Sequence, residues 1–464
     1  MLTYPMEDRG GLPLYEYLYR RIREDILSGA LPAGTRLPSK RALAEHLRIS
    51  VMTVETAYAQ LAAEGYLESR PRLGYFAAQV DHSPAAPAAP PVIPEPQPEK
   101  IWKLDLKTNR IDASRFPFSL WAKLTRQVLS ERGAALLSPM PHPGLPDLRR
   151  AIADDLRDYR GMTVSPEQIV IGSGAEYLYL LLAQLIGRDT VLALEDPGYP
   201  KVGQVYRSSG LRCVPVPLDR QGIRLDLLRR SGAAAAHISP SHHYPTGLTM
   251  PIQRRQALLR WAEETDGLII EDDYDSEFRF TGRPIPPLQS IDRQGRVIYM
   301  NTFSQTIAPS MRIGFLVLPP RLLDRWQAAA GFYACTVPAL EQAVLARFLS
   351  SGHYEQHLSR MRIEYRARRA AVLEAFRTSP FAHRITITEN GAGLHFLLKL
   401  DTRRSGGELR ARGAELGIRA GFLSEYAVAP TPDMDRTLVV NYASLDPRQL
   451  DAAMELLAEW FAEP

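Results

Sequence analysis

Four short segments carry side chains able to do chemistry. "NTFSQTIAPSMRIGF" (301–315) is a small-residue loop of the kind that holds a phosphate, entered from a strand-like run at 296–300. Its fifth residue is Gln305. An amide nitrogen is not nucleophilic, because its lone pair is delocalised, so Gln305 cannot form an imine. It is also no general acid or base. In "IVIGSGAEYLY" (169–179) the residues Gly172, Ser173, Gly174 and Ala175 follow an apolar run and open a helical one. Free backbone N–H groups there can cradle a phosphate, although small residues at strand–helix turns are also common packing devices. "SPSHHYPTG" (239–247) and "IIEDDYDSEFRF" (269–280) bring clustered His, Asp and Tyr. Taken singly, the second is equally a solvated acidic turn.

Positioning such residues takes ordered elements, and the chain divides into two unequal parts that can supply them. Residues 81–100, DHSPAAPAAPPVIPEPQPEK, hold seven prolines. Proline fixes φ and removes donors, so this stretch reads as an extended, semi-rigid linker. Residues 1–80 read as helix, helix, tight turn, helix and hairpin: helical spacing at Leu18, Ile22 and Ile26, caps at Ser39 and Ser50, and two short strands around Pro71 to Gly74. Residues 101–464 alternate helical stretches with near-continuous apolar runs, such as Ile169–Ile171, Thr190–Leu194 and Gly267–Ile270. That alternation predicts an α/β fold around a mostly parallel sheet. From about residue 340 the pattern turns helix-rich, with a strand pair near His395–Leu400 and Thr437–Tyr442, which predicts a smaller C-terminal α+β lobe.

With 464 residues, 45% hydrophobic and 23% charged, the chain has the composition of a globular protein with a large core. A net charge of +4 neither demands nor excludes nucleic acid. Cys213 and Cys335 make no disulfide framework, and no apolar run is long enough to span a bilayer. No secretory signal is visible either, so a cytoplasmic location without membrane contact is expected.

"GTRLPSKRALAEHLRISVMTVETAYAQLAAEGYLESRPRLGYF" (34–76) closely resembles the winged helix-turn-helix of GntR-type transcription regulators. The resemblance implies a double-stranded DNA operator as partner. The helix from Ser50 would enter the major groove, with Val51, Met52, Thr53, Glu55 and Thr56 at its start. Arg36, Lys40 and Arg41 are expected at phosphates, Ser39 and Ser50 as neutral phosphate contacts, and Gly74 at the wing near the minor groove. Between residues 12 and 76 there are nine Lys/Arg and seven Asp/Glu, so the segment is not strongly basic. Family members usually carry arginine where Val51 stands. Val51 and Glu55 therefore point to thymine methyls and cytosine amines more than to guanine.

The larger part resembles fold type I aminotransferases, the pyridoxal-phosphate enzymes, and the whole chain resembles the MocR subfamily of GntR regulators. The resemblance rests on the segments quoted above and on "EDPGYP" (195–200). It implies a cofactor site made of Gly174, Ala175, Tyr199, Asp272, Tyr274, Ser304, Gln305 and Arg312. Tyr199 would stack on the pyridine ring, Asp272 would keep the ring nitrogen protonated, Tyr274 would bond the ring hydroxyl, and Ser304 with Arg312 would hold phosphate. Gln305 replaces the Schiff-base lysine. Glu176 stands where glutamine is common, Pro139 where a tyrosine usually crosses a dimer interface, and Val439 where an arginine usually binds substrate carboxylate. Arg436 is near enough in sequence to substitute for that arginine. Lys201 is a weak substitute for the missing lysine.

The expected function is transcription regulation by a head-to-tail homodimer whose aminotransferase-like part senses a small molecule without catalysis. The effector is pyridoxal phosphate held non-covalently, or another metabolite met by His242, His243, Gln305 and Arg312. No metal ligand set is expected. The alternative is a pyridoxal-phosphate-dependent aminotransferase with an accessory DNA-binding domain. A third reading makes the large part a dimerisation module only.

Overall fold

The computed structural model describes residues 2–81, 100–108, 115–282, 285–443 and 445–463. The linker expected at 81–100 lies almost wholly outside them. The chain separates into two compact units, Met1–Glu99 and Lys100–Pro464.

The first unit is a winged helix-turn-helix: α1 (Leu14–Ser28), α2 (Lys40–Leu47), α3 (Val51–Ala63), β1 (Leu67–Arg70) and β2 (Gly74–Ala77). The two strands are antiparallel, with Leu67 opposite Ala77 and Arg70 opposite Gly74. Leu18, Ile22, Leu43, Val54, Tyr58 and Leu61 close its core without solvent contact. Ser39 caps α2 by accepting from Ala42 N at 3.2 Å, and Ser50 caps α3 by accepting from Thr53 N at 3.1 Å.

The second unit begins with β3 (Leu104–Asp105), α4 (Phe118–Arg132) and α5 (Pro146–Asp155). Strand and helix then alternate: β4 (Ile169–Gly172), α6 (Ala175–Ile186), β5 (Val191–Asp196), α7 (Pro200–Ser208), β6 (Arg212–Asp219), β7 (Gly222–Ile223), α8 (Leu225–Arg230), β8 (Ala235–Ile238), α9 (Ile252–Glu264), β9 (Leu268–Asp272), β10 (Val297–Thr302) and β11 (Gly314–Val317). These strands form one sheet in the order β4-β11-β10-β9-β8-β5-β6-β7. It is mixed: β11 runs antiparallel to both neighbours and β7 to β6, and the remaining pairs are parallel. All of β4, β8, β9, β10 and β11 is buried, which explains why these runs lack a polar alternation.

The chain continues as α10 (Leu323–Ala330), α11 (Ala339–Ser350), α12 (His353–Thr378), β12 (Ile385–Thr388), β13 (His395–Leu400), α13 (Gly406–Leu416), β14 (Ile418–Arg419), β15 (Gly421–Phe422), β16 (Thr437–Asn441) and α14 (Leu450–Phe461). The expected strand pair is β13 with β16, at the centre of a four-stranded antiparallel sheet. The expected lobe start near residue 340 needs correction. Val344, Leu345 and Phe348 of α11 share a core with Leu124 of α4 and Ile152 of α5. The smaller lobe instead draws on Leu104, Leu106, Phe278 and Phe280 from much earlier in the chain. Apolar faces choose their partners by burial, not by order in sequence.

Candidate functional site

The carboxyl ends of β4, β5, β8, β9 and β10 converge on a cavity of about 620 Å³, where parallel sheets commonly place ligands. Ala175, Tyr199, Asp272, Tyr274, Ser304, Gln305 and Arg312 line it together, although they are spread over more than a hundred positions of sequence. Gly174 is the N-cap of α6, with φ +87°. A Cβ at Gly174 would stand 2.8 Å from the Arg312 guanidinium carbon, so glycine is what lets that side chain lie across the turn.

Asp272 ends β9 and is held by two donors on one oxygen. Tyr179 donates its hydroxyl to Oδ2 at 2.8 Å, and His237 Nε2 lies 3.3 Å from the same atom. The other nitrogen of His237 faces the Tyr206 hydroxyl at 3.0 Å, which sets the ring's orientation. The Tyr274 hydroxyl stands 3.1 Å from His242 Nδ1, and His242 is itself 2.9 Å from Asp275. His242, Asp275 and His395 bring ligand-type atoms within 4.8 Å of one another. Each is engaged in hydrogen bonds, His395 with the Pro245 carbonyl at 3.0 Å. Gln305 carries a buried Oε1 with no partner among the described residues.

The anion cup at the start of α6 is already filled. Glu176 Oε2 accepts from Arg312 at 2.5 Å, and its Oε1 accepts from Lys201 at 3.0 Å. Burial pushes the Glu176 carboxyl up, but Arg312, its own backbone N–H and Lys201 overcome that and bring it down to about 2. Deeper in, Glu195 and His243 approach to 3.5 Å. Burial pushes the Glu195 carboxyl up to about 8 and the His243 imidazole down to about 3, so they face each other as neutral groups near pH 7.

His243 lines the cavity and His242 does not. Lys201 lines it as the partner of Glu176. Arg436 does not line it: its guanidinium donates to the Thr402 carbonyl at 3.2 Å. Val439 is buried in β16 opposite Leu397. Arg436 therefore does not replace a carboxylate-binding arginine there. The cavity instead receives Arg419 from β14 and Lys107 from just past β3. Those two strands pair in parallel across more than three hundred residues, a contact with no local signal. Tyr179, His237, Tyr244 and Tyr426 also line it without having been singled out in the sequence. Tyr179 is four residues past Ala175 on α6, one helical turn, a spacing that would have found it.

These residues match pyridoxal phosphate, implied by the resemblance, only in part. Tyr199, Asp272 and Tyr274 remain where a ring could lie. Gln305 offers no amine, and Arg312 and Lys201, the cations at the phosphate cup, are engaged by an internal carboxylate.

On the first unit, Arg36, Ser39, Arg41, Ser50, Val51 and Gly74 are exposed, and Lys40 and Thr53 are partly so. Val51 and Met52 expose 42% and 69% of their surface at the tip of α3, an apolar start suited to thymine methyls. Lys40 bonds Glu55 at 2.6 Å, so neither is free in the way the sequence suggests. The oxygens of Ser39 and Ser50 serve as helix caps, and Ser50 also meets the Thr53 hydroxyl at 2.8 Å. No helix among the described residues is long and apolar enough to cross a membrane.

Comparison with known proteins agrees with both units. Residues 14–76 match the family of bacterial regulatory proteins, gntR family, and residues 100–457 match aminotransferase class I and II. The chain is 39% identical to the HTH-type transcriptional regulator YdeL of Bacillus subtilis (strain 168), over 88% of each chain. It is 35% identical to the probable rhizopine catabolism regulatory protein MocR of Rhizobium meliloti, over 97% of this chain and 94% of that one. Among solved structures, an archaeal alanine:glyoxylate aminotransferase superposes with a TM-score of 0.69 at 24% identity, covering 77% of this chain and 90% of that one.

Proposed function

The chain belongs to the MocR-type GntR transcription regulators, a gntR-family head on a class I and II aminotransferase domain, and we propose that its large unit is a non-catalytic sensor of a small molecule. DNA binding and transcription regulation follow from membership. The finer reading concerns the cavity. Its single strongest support is Gln305, an amide at the imine-forming position whose Oε1 is buried and unpartnered beside the cavity. A buried acceptor without a donor is costly, and a ligand N–H or O–H relieves it. The ligand then shifts the population of dimer geometries that present the heads to DNA. The dimer itself is part of this proposal.

The test is incubation of the full chain with pyridoxal phosphate and a mixture of amino acids, followed by borohydride reduction, peptide mapping and keto-acid analysis. No keto acid and no adduct on a cavity lysine are expected. Turnover, or a reduced adduct at Lys201, restores the aminotransferase reading.

A further inference from the structure

The start of α6 has the makings of an anion site: a helix N-terminus, an arginine and a lysine at one point. Glu176 occupies it from within the same helix. Its two oxygens divide between Arg312 at 2.5 Å and Lys201 at 3.0 Å, and its own backbone N–H supplies a third contact. Gly174 leaves room for the arginine to fold over. A phosphate dianion brought here would compete with a carboxylate for the same donors and lie against a like charge.

Other residues of the cavity have the reverse need. Tyr179 and His237 both meet Asp272 at Oδ2, and neither meets Oδ1. Gln305 adds a buried acceptor, its Oε1, with no partner among the described residues. Tyr199, Tyr244, Tyr274 and Tyr426 supply aromatic rings to the same cavity, and ring faces attract cations. A carboxylate and an amide oxygen among tyrosines together call for N–H donors carrying positive charge.

We propose that Glu176 is a resident counter-anion that fills the phosphate cup, and that the cavity binds a phosphate-free organic cation whose protonated nitrogen pairs with Asp272. This deepens the sensor reading and rests on it.

Calorimetric titration of the full chain with pyridoxamine and with pyridoxamine 5'-phosphate tests it, alongside Glu176→Gln, Glu176→Ala and Asp272→Asn. Thermal melting first establishes that each variant folds. The wild type should favour pyridoxamine at least tenfold over its phosphate ester. Both Glu176 variants should move that ratio tenfold or more toward the ester, and should bind inorganic phosphate, seen as broadening of its ³¹P resonance. Asp272→Asn should weaken pyridoxamine at least tenfold. A wild type that prefers the ester, a wild type that takes neither probe, or a ratio unmoved in both Glu176 variants overturns the proposal. If Glu176 behaves as expected but operator affinity ignores every bound probe, the sensor reading fails and the counter-anion stands. The converse pattern removes only the counter-anion.

Discussion

Lys40 Nζ and Glu55 Oε1 meet at 2.6 Å, tying the start of α2 to the exposed N-terminal part of α3. The Glu55 hydrogen bond raises the lysine's pKa and keeps it charged. With Lys40 at the DNA backbone, as expected from the sequence, the pair would restrain phosphate attraction. Glu55→Ala should therefore raise affinity for any duplex and steepen the dependence of log K on log salt by about 0.9, one phosphate's worth. Fluorescence anisotropy across a salt series reads both. An unchanged slope means that Lys40 does not face the backbone.

Ser50 caps α3 through Thr53 N at 3.1 Å. Ser50→Ala should cost the head about 1 kcal/mol. Hydrogen exchange of the α3 amides should show that loss locally, with the aminotransferase-like unit unaffected. Uniform loss of protection across both units would contradict it.

The buried Glu195 carboxyl gives a pH signature. Its pKa rises from 4.5 to about 8 on folding, so its contribution is fully present below 4.5 and is lost as pH rises through 8. His243 acts in the opposite sense: lowered from 6.5 to about 3, its contribution is present above 6.5 and lost as pH falls through 3. Between pH 6.5 and 8 Glu195 therefore titrates and His243 does not. Glu195→Gln should flatten the decline in stability over that window by about 2 kcal/mol relative to wild type. Thermal melts of the two proteins in matched buffers measure it, and parallel curves would refute it.

Gln305→Lys supplies the missing amine. With pyridoxal phosphate it should give a borohydride-reducible adduct at position 305, in low yield while Glu176 holds the cup. Adding Glu176→Gln should raise the yield about tenfold. Equal yields in the single and double variants would show that the cup does not oppose phosphate.

Much of this was legible in sequence because it is local. Helix periodicity, capping serines and the unbroken apolar runs of buried strands located the helices and hairpin of the first unit and strands β4, β5, β8, β9, β10 and β11 of the large sheet, but not β6 and β7. In the loop at 301–315 one residue, Gln305, is what motivates the proposed non-catalytic reading. What stayed hidden was pairing at a distance. Glu176 could be read as a stray negative charge, but not as the partner of Arg312, 136 positions away. Arg436 looked close to the site in sequence and is turned onto Thr402. Arg419 and Lys107 reach the cavity only because β14 and β3 pair. Lys40 and Glu55 each suggested a DNA contact, and their mutual bond shows only in three dimensions. Spacing predicts which face a residue occupies; which side chain it meets there depends on packing.

The most direct test couples the cavity to the head. An operator selected by the full chain from random duplex DNA is titrated by anisotropy at fixed salt, with and without a saturating amine metabolite chosen by its rise in melting temperature. The account predicts a change in operator affinity of tenfold or more, about 1.4 kcal/mol of coupling, abolished by Asp272→Asn. An affinity that stays the same while the cavity is full would contradict it.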